Sequence, residues 1–157
     1  MKLIQTYIIR HRRENLKKCS LSGLEERSDF AFFLYPDCIK GGLDNLTDCV
    51  VLDLDGPPLT YEDKNAGLIL LDATWRLAEK MTKELIVLES LPKRSIPAGF
   101  QTAYPRRQQD CKDPSAGLAS IEALFIAYTL MGRDASTLLD GYYWKNDFLQ
   151  KNRALLK

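Results

Sequence analysis

Apolar residues along this chain fall into short continuous runs, which are separated by longer stretches with helical spacing. Four runs rich in β-branched, aromatic and leucine residues predict β-strands, at residues 3–9, 30–35, 49–54 and 68–71. Runs that are apolar at consecutive positions, rather than at every second position, are typical of strands buried on both faces of a sheet. The pattern therefore predicts a sheet with helices on both sides.

Helical patterns lie between and after these runs, at residues 60–63, 74–85, 118–131 and 134–156, and Gly132 marks the predicted end of the third. Strands that alternate with helices predict an α/β fold with a mostly parallel sheet flanked by helices, in a single domain over residues 1–157. Residues 89–116 depart from this scheme because four prolines interrupt them. Since predicted elements flank this segment, we expect it to be functional.

The composition is that of a globular protein, with 157 residues of which 45% are apolar and 27% charged. The 22 basic and 21 acidic residues leave a net charge of +1, which excludes a wholly basic nucleic-acid binder but permits a local basic patch. No apolar run approaches the roughly 18 residues of a membrane span, and the N-terminus lacks a signal-peptide pattern. We therefore expect a cytoplasmic protein without a membrane partner.

Cysteine and histidine usage argues against several kinds of catalytic site. The four cysteines are scattered without a C-x-x-C spacing, and His11 is the single histidine, so no metal site is predicted. A Ser-His-Asp hydrolase would have to use His11, which has no nucleophile elbow near it. The chain also lacks the phosphate-binding loop and the G-x-G-x-x-G fingerprint, which disfavours nucleotide hydrolysis and hydride transfer.

Ligands of parallel α/β sheets bind beyond the carboxyl ends of the strands, and the predicted strand 68–71 is followed by Asp72-Ala73-Thr74-Trp75. This segment resembles the signature of the DTW-domain family, and equally the D-C-S-W signature of the ribosomal-RNA aminocarboxypropyltransferases of archaea and eukaryotes. Other segments are similar to these families in the same order: Lys17-Lys18-Cys19-Ser20, Leu52-Asp53-Leu54-Asp55-Gly56, Leu91-Pro92-Lys93-Arg94, Tyr104-Pro105-Arg106-Arg107-Gln108, Ala119-Ser120-Ile121-Glu122-Ala123, and residues 143–149 with Asn152.

The resemblance implies a SPOUT-like α/β fold with a C-terminal trefoil knot. It also implies an enzyme that uses S-adenosylmethionine as group donor and transfers its 3-amino-3-carboxypropyl group to a uridine-type base in RNA. Transfer RNA is favoured as the acceptor, ribosomal RNA is the second choice, and the protein is expected to be a monomer. Two alternatives stay open, a SPOUT-like RNA methyltransferase and a non-catalytic RNA-binding module.

The resemblance also implies roles for individual residues. Asp72 is the expected catalytic residue, as a base or as the holder of the donor's amino group, although it could simply cap the following helix. The residues expected to bind the cofactor are Ser20, Leu52, Leu54, Leu71, Asp72, Trp75, Arg94, Ile96, Ala119 and Ser120. Those expected to bind RNA are Arg10, Arg12, Arg13, Lys17, Lys18, Lys93, Arg106 and Arg107.

Two of these expectations have a simpler alternative. Trp75 either flanks the adenine of the donor or packs in the core. Glu122, in the first turn of its predicted helix, either fixes the preceding turn from inside or only interacts with the helix dipole.

Overall fold

The computed structural model describes residues 6–11, 21, 23–40, 46, 48–53, 56–73, 75–104 and 118–156, apart from the side chains of Lys40, Trp75 and Arg76. Five strands form one sheet: β1 (Thr6–His11), β2 (Phe30–Tyr35), β3 (Cys49–Leu52), β4 (Gly67–Asp72) and β5 (Lys93–Arg94). They lie in the order β2-β1-β4-β3-β5, and each of these pairings is parallel. The predicted parallel α/β architecture is therefore confirmed.

The α-helices of the described residues are α1 (Trp75–Glu84), α2 (Ser120–Met131) and α3 (Lys145–Lys151). Short 3-10 helices lie at Leu24–Glu26, Asp37–Lys40, Tyr61–Asp63 and Ile86–Ser90. Thr60 caps the third of these, because its hydroxyl accepts a hydrogen bond from the Glu62 amide at 3.2 Å. None of the helices in the described ranges is long and apolar enough to cross a bilayer.

Each face of the sheet carries its own apolar cluster, because consecutive residues of a strand point to opposite faces. Ile8 of β1 and Leu70 of β4 are buried in the cluster that includes Leu124 of α2. Ile9 and Ile69, their neighbours in sequence, are buried in the other cluster together with Met81 of α1. Helices thus cover both faces, which explains why the strands are apolar at consecutive positions.

β1 extends farther than its apolar run predicts. Residues 3–5 lie outside the described residues, whereas Arg10 and His11 continue the strand beyond the predicted end. The sheet accommodates these polar residues because Arg10 forms an ion pair with Asp72, and because His11 packs against Tyr35 with 5.2 Å between the two ring centres. A prediction from hydropathy alone therefore ends this strand too early.

The segment after α2 also differs from the prediction. Residues 134–156 are predicted as one or two amphipathic helices, but the α-helix there is α3 alone. Leu138 and Tyr142 are instead buried through successive turns, in which their amides bond to the carbonyls three residues earlier. The apolar spacing in this segment thus indicates burial and not a continuous helix.

Two expectations concern the proline-interrupted segment. The strand β5 is not predicted, because it has two charged residues and no apolar run. The C-terminal trefoil knot depends on the path of residues 105–117, which lie outside the described residues. The knot therefore stays a prediction.

Gly132 ends α2, as the sequence predicts. Its φ is 76°, and a Cβ at this position would collide with the ring of Tyr61. We expect Gly132→Ala to lower the free energy of unfolding by about 1–2 kcal/mol, because alanine is strained in left-handed backbone. Thermal unfolding measures this loss against Gly141→Ala, whose Cβ would meet no atom within 4 Å. Equal stability of the two variants would contradict the prediction.

Candidate functional site

The carboxyl ends of β1 and β4 lie side by side within the sheet. From β1 the chain continues to β2 on one side, and from β4 it continues through α1 to β5 on the other side. Adjacent strands whose connections leave in opposite directions open a crevice at their carboxyl ends, and ligands of α/β sheets bind in such crevices. Arg10 and Asp72 are register partners at this point. A cation and a carboxylate therefore lie at the place where the fold favours a ligand.

Asp72 is the last residue of β4 and is 3% exposed. Its Oδ1 accepts a hydrogen bond from Ser120 Oγ at 2.7 Å, and its Oδ2 accepts one from Arg10 Nε at 3.1 Å. Donors from two other elements, α2 and β1, thus orient the carboxylate. The structure brings together Asp72 and Ser120, which the sequence analysis assigns to the site separately.

The sequence predicts that Arg10 contacts RNA phosphates from the surface, but the residue is 8% exposed. Besides Asp72 it contacts Glu25, with 3.4 Å between Nη1 and Oε2. Its guanidinium carbon also lies 4.9 Å from the centre of the Phe32 ring, within the range of a cation–π interaction. These partners correct the expectation, because a side chain in this environment is not a solvated cation available to RNA.

Glu25 approaches Arg10 from the 3-10 helix Leu24–Glu26, and its side chain is 43% exposed. Burial acts to raise the pKa of Glu25, but its pKa is lowered overall because the amides of Glu25 and Gly23 and the Arg10 guanidinium stabilise the charged carboxylate. Sequence analysis misses both Glu25 and the Arg10–Asp72 pair. The pair joins residues 62 positions apart, and no local motif marks it.

The apolar residues expected to contact the cofactor divide between the two faces of the sheet. Leu52 and Ile96 are half-buried and pack against the core on the α2 face, where Ala119 is fully buried. Leu71 is also half-buried, but its side chain packs against the cluster on the α1 face. Asp72 shares the α2 face with the first group, so the Leu71 side chain lies on the opposite side of the sheet from the carboxylate.

Both residues of β5 interact within the chain. The Lys93 ammonium, which was expected to bind RNA, donates to the Leu88 carbonyl at 2.6 Å. Arg94 Nε donates to Asp63 Oδ1 at 3.3 Å, and the Arg94 carbonyl accepts a hydrogen bond from the Asp53 amide at 2.8 Å. Lys93 therefore stabilises the preceding helical turn, and the Arg94 backbone joins β5 to the end of β3.

Two buried polar side chains hold residues 101–104, the segment that leads into the basic stretch from Pro105. Glu122 is 0% exposed and fixes this segment and the start of α2 from inside, as one of its two predicted roles requires. Its carboxylate accepts four hydrogen bonds, from Thr102 Oγ1 at 2.6 Å, the Ala103 and Ala119 amides at 2.8 Å, and the Tyr142 hydroxyl at 2.9 Å. Asn152 binds both the amide and the carbonyl of Gln101.

Several predicted site residues lie outside the described residues: Ser20, Leu54, Arg12, Arg13, Lys17, Lys18, Arg106 and Arg107. Trp75 begins α1, but its side chain is also outside them. The contacts of these residues with cofactor or RNA stay predictions. In the part of the chain that the structure describes, no three His, Cys, Asp or Glu residues are grouped to hold a metal ion.

Comparison with known proteins adds a family and a fold. The family model of the DTW domain matches residues 1–150. A search of curated proteins finds no match. Among solved structures, the SAM-dependent rRNA:acp-transferase Tsr3 from Vulcanisaeta distributa is similar, with a TM-score of 0.73 and 23% sequence identity over 98% of this chain and 81% of that chain. At this level of identity the likeness concerns the fold.

Proposed function

This chain belongs to the DTW domain family, and from that membership we propose that it transfers the 3-amino-3-carboxypropyl group of S-adenosylmethionine to a uridine-type base in RNA. The observation that carries the proposal is the buried Asp72 carboxylate at the end of β4, which Arg10 and Ser120 orient. Asp72 is also the first residue of the segment that resembles the family signature. The Vulcanisaeta distributa protein, which has a similar fold, is a SAM-dependent transferase of this kind and acts on rRNA.

The chemistry of the residues around Asp72 fits this donor. S-adenosylmethionine carries an ammonium and a sulfonium, and a buried carboxylate attracts such cations strongly. Leu52 and Ile96 add apolar surface on the same face of the sheet as Asp72, and apolar surface with a few polar groups is what binds a nucleoside. We assign Leu54, Trp75, Ser20 and the backbone of Arg94, Ala119 and Ser120 to the same site, from the resemblance.

The transfer needs a group that acts on a proton or on a charge. The donor supplies an electrophilic carbon beside its sulfonium, so that a carbon–nitrogen bond forms to the base while the carbon–sulfur bond breaks and the sulfur leaves as a neutral thioether. The base nitrogen loses its proton in this exchange. Asp72 is the carboxylate that accepts this proton or holds the donor's ammonium. In either role its contribution depends on position, which the hydrogen bonds from Arg10 and Ser120 control.

The acceptor base must leave its stack to reach a buried carboxylate, so single-stranded or loop RNA is the expected substrate. Phosphate contacts are assigned to Lys93 and to the basic residues outside the described ranges: Arg12, Arg13, Lys17, Lys18, Arg106 and Arg107. The sequence prediction favours a transfer-RNA uridine. Because the Vulcanisaeta distributa protein acts on rRNA, ribosomal RNA is the other acceptor to test.

Three further proposals concern the whole protein, of which the knot rests on the resemblance. We propose that its C-terminal half forms a trefoil knot, that the single domain is a monomer, and that it works in the cytoplasm. A structure whose chain can be pulled straight from both ends would contradict the knot.

A double-label assay tests the proposed reaction. The purified protein is incubated with RNA from cells that lack the gene and with donor labelled either in the methionine carboxyl group or in the methyl group. We expect carboxyl label, and no methyl label, to enter the RNA, and separate ribosomal and transfer RNA fractions identify the acceptor. Transfer of methyl label would instead establish a methyltransferase. RNA binding without donor binding at millimolar concentration would establish a non-catalytic module.

A further inference from the structure

Arg10 and Asp72 form a buried ion pair between β1 and β4, two inner strands of the sheet. Their side chains are 9% and 4% exposed, and they are register partners on β1 and β4. Burial of two charges is unfavourable unless both are well partnered, and an apolar pair in the same place is often as stable. The pair lies near the carboxyl ends of its two strands, where the topology of an α/β sheet favours a ligand, and not in the middle of the strands. Its position therefore points to function more than to stability.

The surroundings of Arg10 restrict its side chain from several directions. Glu25 binds Nη1 from the 3-10 helix, and the guanidinium carbon lies over the Phe32 ring of β2, 4.9 Å from the ring centre. Nε meets Asp72 Oδ2 at 3.1 Å. A guanidinium is rigid and planar, so contacts at one edge and one face determine the direction of the other edge. These contacts therefore hold the Nε edge of the Arg10 guanidinium toward Asp72.

The charges of these three residues do not cancel. Glu25 and Asp72 each contribute −1 and Arg10 contributes +1, so the connected group has a net charge of −1. Because Glu25 offsets the guanidinium, Arg10 can orient Asp72 without making the site neutral. The net negative charge of these three residues suits the donor, whose ammonium and sulfonium outweigh its single carboxylate.

We propose that Arg10 is the positioning residue of Asp72, holding the carboxylate in its working orientation without touching donor or base itself. This inference rests on the proposed function of Asp72. We expect Arg10→Gln to slow single-turnover transfer by about 10–100-fold, because small displacements of a reacting group have effects of this size. Arg10→Lys keeps the charge but not the planar edge, and we expect it to recover part of the lost rate.

A double-mutant cycle separates this role from a general structural one. If Arg10 acts through Asp72, then Arg10→Gln in the Asp72→Asn background should change transfer by less than about 3-fold. Donor affinity is measured for the same four proteins by calorimetry. If Asp72→Asn changes the rate of transfer, we expect the coupling in that rate, and if it changes donor affinity, we expect the coupling in donor affinity. Full multiplication of the two single effects would overturn the inference.

A matched control is available in the same protein. Arg27 binds Asp29 through Nε at 3.1 Å and lies 5.3 Å from the Phe30 ring, in an arrangement like that of Arg10 but at the other end of β2. We expect Arg27→Gln to leave transfer unchanged after correction for the folded fraction. Equal losses in Arg27→Gln and Arg10→Gln would show that Arg10 is merely structural.

The outcomes distinguish this inference from the proposed function. A wild-type protein that binds the donor but transfers nothing refutes the proposed reaction. The cycle on donor affinity then decides the role of Arg10, and an unchanged donor affinity in Asp72→Asn would overturn the inference as well. If the wild-type protein transfers normally and the effects of Arg10→Gln and Asp72→Asn multiply, the role of Arg10 is refuted but the proposed reaction is not. If Arg10→Gln does not fold, Arg10→Lys takes its place in the cycle with the same criterion.

Discussion

We expect Asp72→Asn to lower single-turnover transfer by about 10²–10⁴-fold, the usual share of a positioned acid–base group. Asparagine keeps an oxygen for the Ser120 hydroxyl, which binds Oδ1 at 2.7 Å, and it has nearly the same volume. It loses the charge that attracts a cation and the basicity that accepts a proton. The variant should still fold, with a loss of about 1–3 kcal/mol because Arg10 loses a charged partner. Single-turnover assays and thermal unfolding of the same preparation measure both effects.

The same variant separates the roles that are open for Asp72. Unchanged donor affinity with slow transfer would assign Asp72 to the base nitrogen, whereas joint loss of affinity and transfer would assign it to the donor's ammonium. If Asp72 were only a helix cap, transfer and donor affinity should stay nearly unchanged, because asparagine caps helices almost as well, while the lost Arg10 ion pair would still lower stability. A fully active variant would exclude Asp72 as the catalytic residue. Asp29→Asn is the control, since Asp29 is also buried and paired with an arginine but lies just before the start of β2.

The sequence predicts the strand bounds unevenly, since β3 (Cys49–Leu52) contains no charged residue and yet ends before the predicted residue 54. β2 has the predicted bounds, because Phe30–Tyr35 contains no charged residue and Pro36 ends the run. β1 is predicted too short, because hydropathy treats Arg10 and His11 as loop residues. The information that keeps them in the strand lies in their partners, Asp72 and Tyr35. Those partners are known only once the register between strands is known.

The candidate site shows the same limit. The family resemblance identifies Asp72 and Ser120 separately, but their contact depends on how α2 packs against the end of β4. Arg10 was assigned to RNA because a basic residue in a polar stretch is usually a solvated surface charge. Nothing in its neighbourhood in the sequence indicates burial. The sequence thus predicts which elements contribute to the site more reliably than which side chains meet there.

Glu122 shows what a local pattern leaves open even where it indicates the right residue. In the sequence, an acidic residue in the first turn of a helix is explained by the helix dipole alone, an interaction of about 0.3–1 kcal/mol. In the structure the same residue accepts four hydrogen bonds and is fully buried. The difference arises because Thr102 and Tyr142, which supply two of the donors, come from segments distant in sequence.

We expect Glu122→Ala to lower the free energy of unfolding by about 3–5 kcal/mol, because it leaves several buried donors without an acceptor. For a protein of this size the midpoint of thermal unfolding should fall by about 2–4 °C for each kcal/mol. Thermal and urea unfolding measure the loss, with Glu79→Ala on the exposed surface of α1 as the control. A loss below about 1 kcal/mol would instead mean that Glu122 contributes only an interaction with the helix dipole.

Glu122→Gln tests which of the four hydrogen bonds matter. The Thr102 and Tyr142 hydroxyls can rotate to accept from the new amide group, whereas the backbone amides of Ala103 and Ala119 can only donate. These two amides bind different carboxylate oxygens, so either orientation of the glutamine leaves one of them facing an NH₂ group. We therefore expect a loss of about 1–3 kcal/mol, the penalty of one unsatisfied buried donor. A loss as large as that of Glu122→Ala would mean that the charge, and not the hydrogen-bond count, holds residues 101–104 in place.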